Sequence, residues 1–453
     1  MFNNRFFDYY LMETSDPILR RLPVHMRAGA VLLGGLFSML SFGTVYTFGN
    51  MLPYMVSYLR WKVDPTMKAG SMIWLQTLLS GVPFAMIAGG VLERRMGGKR
   101  AAILGSLMYT GGTAMTFITI QKSYGLMLIS MGLVASFGGS IAYNAILTTA
   151  QKWFPQNVGM ASGIIVGGYG CGAFILSPLQ TSYINPLDYR VNAEGYFTQE
   201  DLLERVPYVF LVMATVYFLL QTVGLTFVGA PKEDHDEGDQ LISENHSQPI
   251  STQLKSMTFV VLFISLTLNS LWVQIVSGLY KAYGQQFIYS DMFLSFVGSL
   301  SSIANAGSRI VWGLIVDKSS YQTCMCIVTS LAACSIWLLP TIKWIGNDMV
   351  FLISICTMFT CVGGTYSLFP YITNRCFGRA NFGVVYGTLQ TALCVAGIFA
   401  GFLCQFLLPE IGFENLFIIA GFCMAASFAL TVVLHRTDMA ESSSQYSLVS
   451  TEE

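Results

Sequence analysis

Charge is what this 453-residue sequence has least of: Asp, Glu, Lys and Arg together make up 11% of it. A soluble domain averages about a quarter, so the polar surface is too small to coat a globule and a water-soluble fold is excluded. The charges that are present nearly cancel, 24 Lys and Arg against 25 Asp and Glu, and no basic run occurs. That excludes nucleic acid as a partner, because neutralising phosphates needs clustered cations. Histidine is rarer still: the four residues, 25, 235, 246 and 435, lie in polar segments or at the ends of apolar ones, and no Asp or Glu lies well inside an apolar stretch. Without a constellation of nucleophile, base and metal ligands, neither enzymatic activity nor a metal or organic cofactor is expected. The ten cysteines lack the paired spacing of zinc sites and fall in or beside apolar stretches, where they read as small core residues.

What the chain has in abundance is apolar length, with 53% hydrophobic residues and a mean hydropathy of +0.57. About 20 consecutive apolar residues cross the hydrocarbon of a bilayer as a helix. Such stretches predict twelve spans, at 28–59, 70–92, 101–121, 125–150, 158–182, 207–229, 257–281, 291–314, 322–341, 349–372, 382–407 and 416–435. With the amino terminus inside, 15 Lys and Arg fall on inner segments and 8 on outer ones, so both termini are expected in the cytosol. Residues 231–256 switch to a polar, acidic composition and read as a linker. The predicted organisation is a cytosolic segment 1–27, a six-helix domain 28–230, the linker 231–256, a second six-helix domain 257–436 and a cytosolic tail 437–453. The halves echo each other: Tyr143, Lys152 and Phe154 match Tyr366, Arg375 and Phe377 at a constant offset of 223. Parallel repeats of this kind are how a two-domain secondary transporter looks in sequence.

Two loops carry a further pattern. Gly89 to Arg100 reads GGVLERRMGGKR between the second and third spans, and Gly313-Leu314-Ile315-Val316-Asp317-Lys318 stands between the eighth and ninth. Both resemble the G-x-x-x-D-[RK]-x-G signature of the major facilitator superfamily, in which an acid at a helix end pairs with basic residues across the domain. The second copy departs after Lys318, where Ser319 and Ser320 follow. In the first, the acid sits one residue early, at Glu93, and Arg94 and Arg95 follow it, which would rewire the ion pair of the inner gate. The gate set implied by the resemblance is Glu93, Arg94, Arg95, Lys152, Asp317 and Lys318. Gln151-Lys152-Trp153-Phe154-Pro155, followed by Gly159-Met160-Ala161-Ser162-Gly163 and Gly167, Gly168, Gly170 and Gly172, is similar to the oxalate:formate antiporter and monocarboxylate porter branch. The small residues would let the fifth helix approach its neighbours closely.

Arg309 is the one ionisable residue deep in a span, eight residues before Asp317, or about 12 Å from the inner end of the helix. A guanidinium does not escape burial by losing its proton, so it needs an anion or a water-filled cavity. With no acid inside the spans, the expected anion is the substrate. The resemblance implies the same, since an arginine at this place contacts the carboxylate in both kinds of porter. It also implies an aromatic box from Tyr46, Tyr143 and Tyr366. Two departures bear on substrate and coupling. Leu393 stands where oxalate-type members carry a lysine for a second carboxylate, which disfavours a dianion. Asn305 stands where proton-linked porters carry an aspartate one turn before the arginine, and an amide does not titrate. Trp272 and Gln390, with Asn50, Asn144, Asn269 and Gln274, add polar groups to the expected cavity.

The sequence thus predicts an all-α membrane protein of twelve transmembrane helices in two six-helix pseudo-repeats. Its expected activity is alternating-access transport of a small organic anion, a monocarboxylate above all, by uniport or exchange. A neutral or zwitterionic solute is the alternative within transport, and a non-transporting sensor or scaffold the alternative of another class. The expected partners are the substrate, the lipid bilayer and sorting adaptors. Glu237 to Ile242 fits an acidic dileucine signal at Leu241 and Ile242, and Tyr446 to Val449 a tyrosine-based one, both placed in the cytosol. The plasma membrane is preferred over endosome or lysosome.

Overall fold

A computed structural model of the chain describes residues 13–67, 72–80, 82, 84–187, 189, 191–192, 196–232, 249–284, 286–288 and 291–434. Leu241, Ile242 and Tyr446 lie outside the described residues. The first predicted span is two helices, α1 (Val24–Phe42) and α2 (Phe48–Lys62), joined by a 3-10 turn at Gly43–Thr47. The second is also divided, into α3 (Ile73–Ser80) and α4 (Ala85–Met96), and Phe84 at the head of α4 takes a left-handed φ of 68°. A bulky residue adopts that conformation only under strain, and a continuous helix does not pass through it. Then follow α5 (Gly98–Thr119), α6 (Tyr124–Trp153) with a π-helical stretch over Leu128–Ala135, α7 (Val158–Ile184) and α8 (Glu200–Thr226). A short helical turn at Ile250–Leu254 precedes α9 (Met257–Gly284), α10 (Asp291–Lys318), α11 (Tyr321–Ile345), α12 (Asp348–Phe377), α13 (Phe382–Phe402) and α14 (Leu408–Leu434), the last kinked at Gly412. Among the described residues, ten helices are long and apolar enough to cross a bilayer. Helices α3 and α4 are each too short alone, and the serines, Asn305 and Arg309 keep α10 outside that set.

The chain divides into two compact units, residues 1–153 with 168–231, and residues 154–167 with 232–453. In the first unit, α5 and α6 approach so closely that a Cβ added to Gly105 would lie 2.5 Å from the Gly138 carbonyl oxygen. Uncharged groups tie α1, α5 and α8 together: Thr44 donates to the Tyr217 hydroxyl, Tyr109 to the Ser41 carbonyl, and Gln221 to the Ser41 hydroxyl. Inside hydrocarbon such groups have no water to fall back on, so each needs a protein partner. The segment before α1 is fastened to this unit. Leu19 is fully buried, and Asp16 accepts from the backbone N–H groups of Ile18 and Leu19 and from Lys99 at 2.7 Å. Burial pushes the Asp16 carboxyl up, but these three donors outweigh it and hold its pKa below the ordinary value.

In the second unit α10 packs along α12, and α9 and α11 along α14. Asn269 on α9 donates to Ser427 on α14 at 2.6 Å and accepts from Thr365 on α12 at 3.3 Å, so one buried amide joins three helices.

Candidate functional site

Residues 305 and 309 are one helical turn apart and therefore share a face of α10. Both are buried, Arg309 with 1% of its surface exposed. The Arg309 Nε donates to the Asn305 Oδ1 at 3.2 Å, and Nη1 donates to the Val166 carbonyl at 3.0 Å. The guanidinium carbon lies 5.2 Å from the centre of the Tyr366 ring, within cation–π range. From α12, Ser367 donates to the Arg309 carbonyl at 2.8 Å, which fixes the backbone beneath the side chain. Gly163 makes room for this arrangement: a Cβ there would lie 2.5 Å from the Arg309 carbonyl oxygen. The amide, the carbonyl and the ring each orient the guanidinium without the neutralisation an ion pair would bring.

The other expected binding residues fall into separate groups. In the first unit, Tyr46 and Tyr143 both meet Tyr169 edge-on, with ring centres 5.7 and 5.5 Å apart. Tyr169 was not singled out in the sequence; its only signal is an aromatic residue set within the glycine run of α7. In the second unit, Trp272 is fully buried and its indole N–H has no hydrogen-bond partner among the described residues. The amide nitrogen of Gln390 donates to the Tyr386 hydroxyl, while its carbonyl oxygen is buried without a partner among the described residues. Buried donors and acceptors are nearly always satisfied, so two orphans on neighbouring helices α9 and α13 mark places where a ligand atom can bond. Asn50, Asn144 and Asn269 instead bond to Ser177, Met86 and Ser427, linking helices.

Of the residues expected at the gate, Glu93 and Lys152 bond to each other in the first unit and Asp317 to backbone donors in the second. Glu93, buried at the end of α4, accepts from Lys152 at the end of α6 at 2.7 Å, while Arg94 and Arg95 are exposed. Asp317 accepts from the backbone N–H groups of Gly159 at 2.8 Å and Met160 at 2.6 Å. A carboxylate there satisfies two of the orphan donors at the start of α7 and faces the positive end of the helix dipole. Lys318 is exposed.

The profile of the Major Facilitator Superfamily matches residues 31–401. The chain belongs to the Major Facilitator Superfamily, and its fold is the twelve-helix membrane architecture of that family, two six-helix pseudo-repeats. It is similar to apicoplast pyruvate carrier 1 of Toxoplasma gondii, 25% identical, covering 87% of this chain and 86% of that protein. The oxalate:formate antiporter of Oxalobacter formigenes is 27% identical over 77% of this chain and 78% of that one. Monocarboxylate transporter 12 of Rattus norvegicus is 23% identical over 76% and 72%. The crystal structure of the transporter FucP in the outward conformation superposes with a TM-score of 0.64 at 13% identity, over 90% of this chain and 98% of that one. The proton:xylose symporter XylE gives the same TM-score at 12% identity, over 90% and 94%. The protein is a membrane transporter of this superfamily.

Proposed function

We propose that the protein carries a small organic monoanion, a monocarboxylate above all, across its membrane by alternating access, as a uniporter or an exchanger. The observation that carries this reading is the buried Arg309 guanidinium, aimed by Asn305, the Val166 carbonyl and Tyr366. A planar fork of donors matches a carboxylate in bidentate fashion. The relatives, a pyruvate carrier, an oxalate:formate antiporter and monocarboxylate transporters, support the same substrate class. Leu393 in place of a second cation favours one carboxylate over two. Tyr46 and Tyr143, held by Tyr169, together with Tyr366, Trp272 and Gln390, supply the remaining contacts, and Glu93, Lys152 and Asp317, with Arg94, Arg95 and Lys318 beside them, form the inner gate.

No His, Asp or Glu lies well inside a span to bind a proton on one side and release it on the other, and Asn305 does not titrate. Transport therefore proceeds without stoichiometric proton movement. In this reading both termini and the 231–256 linker face the cytosol between domains 28–230 and 257–436, and the protein resides in the plasma membrane. Adaptor signals at Leu241, Ile242 and Tyr446 would instead direct it to endosomes, and their replacement by Ala would then move it to the surface.

The test is uptake of radiolabelled pyruvate, formate, oxalate and a zwitterionic amino acid into proteoliposomes, with and without a pH gradient. The expected result is uptake of monocarboxylates with no substrate-driven alkalinisation outside. Uptake of the amino acid in preference to the anions would establish the zwitterionic alternative. Specific binding of an anion without any transport would make the protein a sensor.

A further inference from the structure

Away from Arg309, the first unit contains a cavity of about 290 Å³ between α5 and α8. Ile103, Leu107 and Phe218 form part of its wall and are each more than a third exposed, so it opens on the side of the helices that faces hydrocarbon in a bilayer. Its volume lies at the small end of ligand pockets, enough for a stretch of chain and too small to swallow a whole amphiphile.

Two polar features stand in this apolar crevice. Ser106 lines it, and its buried hydroxyl has no hydrogen-bond partner among the described residues. In hydrocarbon such a group is costly unless a ligand atom bonds to it. At the end near the amino-terminal segment, Lys99 lines the cavity and donates to Asp16 at 2.7 Å and to the Thr226 carbonyl at 3.1 Å. An ammonium has three donors, and the Lys99 side chain keeps 27% of its surface exposed, which leaves one donor for an outside anion. Arg20 and Arg21, two and three residues after the lining residue Ile18, and Arg100, next to Lys99, are exposed cations. Lys99 and Ser106 are seven residues apart, about 10 Å along the helix, a distance that a phosphoglycerol linkage spans from phosphate to ester carbonyl.

We propose that this cavity binds an anionic phospholipid from the leaflet on the side of the amino terminus. One acyl chain lies between α5 and α8, an ester carbonyl accepts from Ser106, and the phosphate accepts from Lys99. Because Lys99 also holds Asp16, the bound lipid braces the segment before α1 against α5.

The experiment uses the full chain in phosphatidylcholine nanodiscs containing a few per cent of a phospholipid with a photoactivatable acyl chain, either phosphatidylglycerol or phosphatidylcholine, followed by peptide mapping. The anionic probe should label peptides from 98–119 and 200–226 about five-fold more than the zwitterionic one, the factor that one juxtamembrane cation confers. Thr222→Trp, at an exposed position of the cavity wall, should abolish that labelling without lowering the melting temperature. Asp16→Asn combined with Lys99→Gln removes both members of the ion pair and should bring the anionic probe down to the level of the zwitterionic one. Should that double variant not fold, Thr222→Trp still decides the question. Equal labelling by the two probes in the parent, labelling unaffected by Thr222→Trp, or full competition by a free fatty acid at equal mole fraction would each overturn the proposal.

Discussion

The Oδ1 of Asn305 lies 3.2 Å from the Nε of Arg309, and this neutral bond sets the electrostatics of the candidate site. An amide aims the guanidinium and leaves its charge intact, whereas a carboxylate at the same place would bind it as an ion pair.

Asn305→Asp should therefore impair transport more than Asn305→Ala does. The new carboxylate would lie where the Asn305 amide now accepts from the Nε of Arg309, and there it competes with the substrate for the guanidinium. Uptake at pH 7.4 should fall about 10-fold or more, the equivalent of one charge-assisted hydrogen bond. Equal uptake by the Asp and Ala variants would remove the argument.

Arg309→Lys keeps a charge and loses the planar fork. Carboxylate uptake should drop by roughly 10- to 100-fold, matching the loss of about 1.5–3 kcal/mol in bonding to a charged group. Melting temperature and membrane expression should stay near the parent's. A Lys variant that transports like the parent would make Arg309 a structural residue.

Gly163→Ala tests the close approach of α7 to α10. The added Cβ meets the Arg309 carbonyl oxygen at 2.5 Å, while a Cβ at Gly307 meets nothing within 4 Å. The first substitution should destabilise by about 1–3 kcal/mol through overpacking. Gly307→Ala should stabilise by about 0.5–1 kcal/mol, since Ala loses less backbone freedom than Gly. Thermal unfolding in detergent distinguishes them; similar shifts for both would mean that the α7–α10 contact yields at little cost.

The pairing of Asp16 with Lys99 predicts a pH dependence of stability. Asp16 has a lower pKa in the folded protein than in the unfolded chain. Its contribution is therefore fully present above the unfolded value and is lost as pH falls through the folded one. The melting temperature of Asp16→Asn should lie below the parent's at pH 7, and the gap should close on acidification below the ordinary carboxylate range. A gap that persists unchanged at low pH would assign the effect to the caps on Ile18 and Leu19 rather than to charge.

Much of this protein could be read from composition and periodicity alone. The scarcity of charge forces the chain into a bilayer, and apolar run length sets the number of crossings, because hydrocarbon thickness is fixed. Arg309 could be identified from sequence for the same reason: a cation that stays charged deep in a span has few physical explanations. Asp317 stood out through the resemblance of Gly313 to Lys318 to the loop signature of the superfamily. What the sequence left open were the partners of these residues, since partners depend on how each helix is rotated and how close its neighbours come. Only the tertiary structure placed Tyr169 between Tyr46 and Tyr143, joined Glu93 to Lys152, and set Asp317 against the backbone donors of Gly159 and Met160. It also divided the second span at Phe84 and committed Asn50, Asn144 and Asn269 to bonds between helices. A polar residue in an apolar run announces that it needs a partner, but whether that partner is a protein atom or a ligand is decided by packing between helices far apart in sequence.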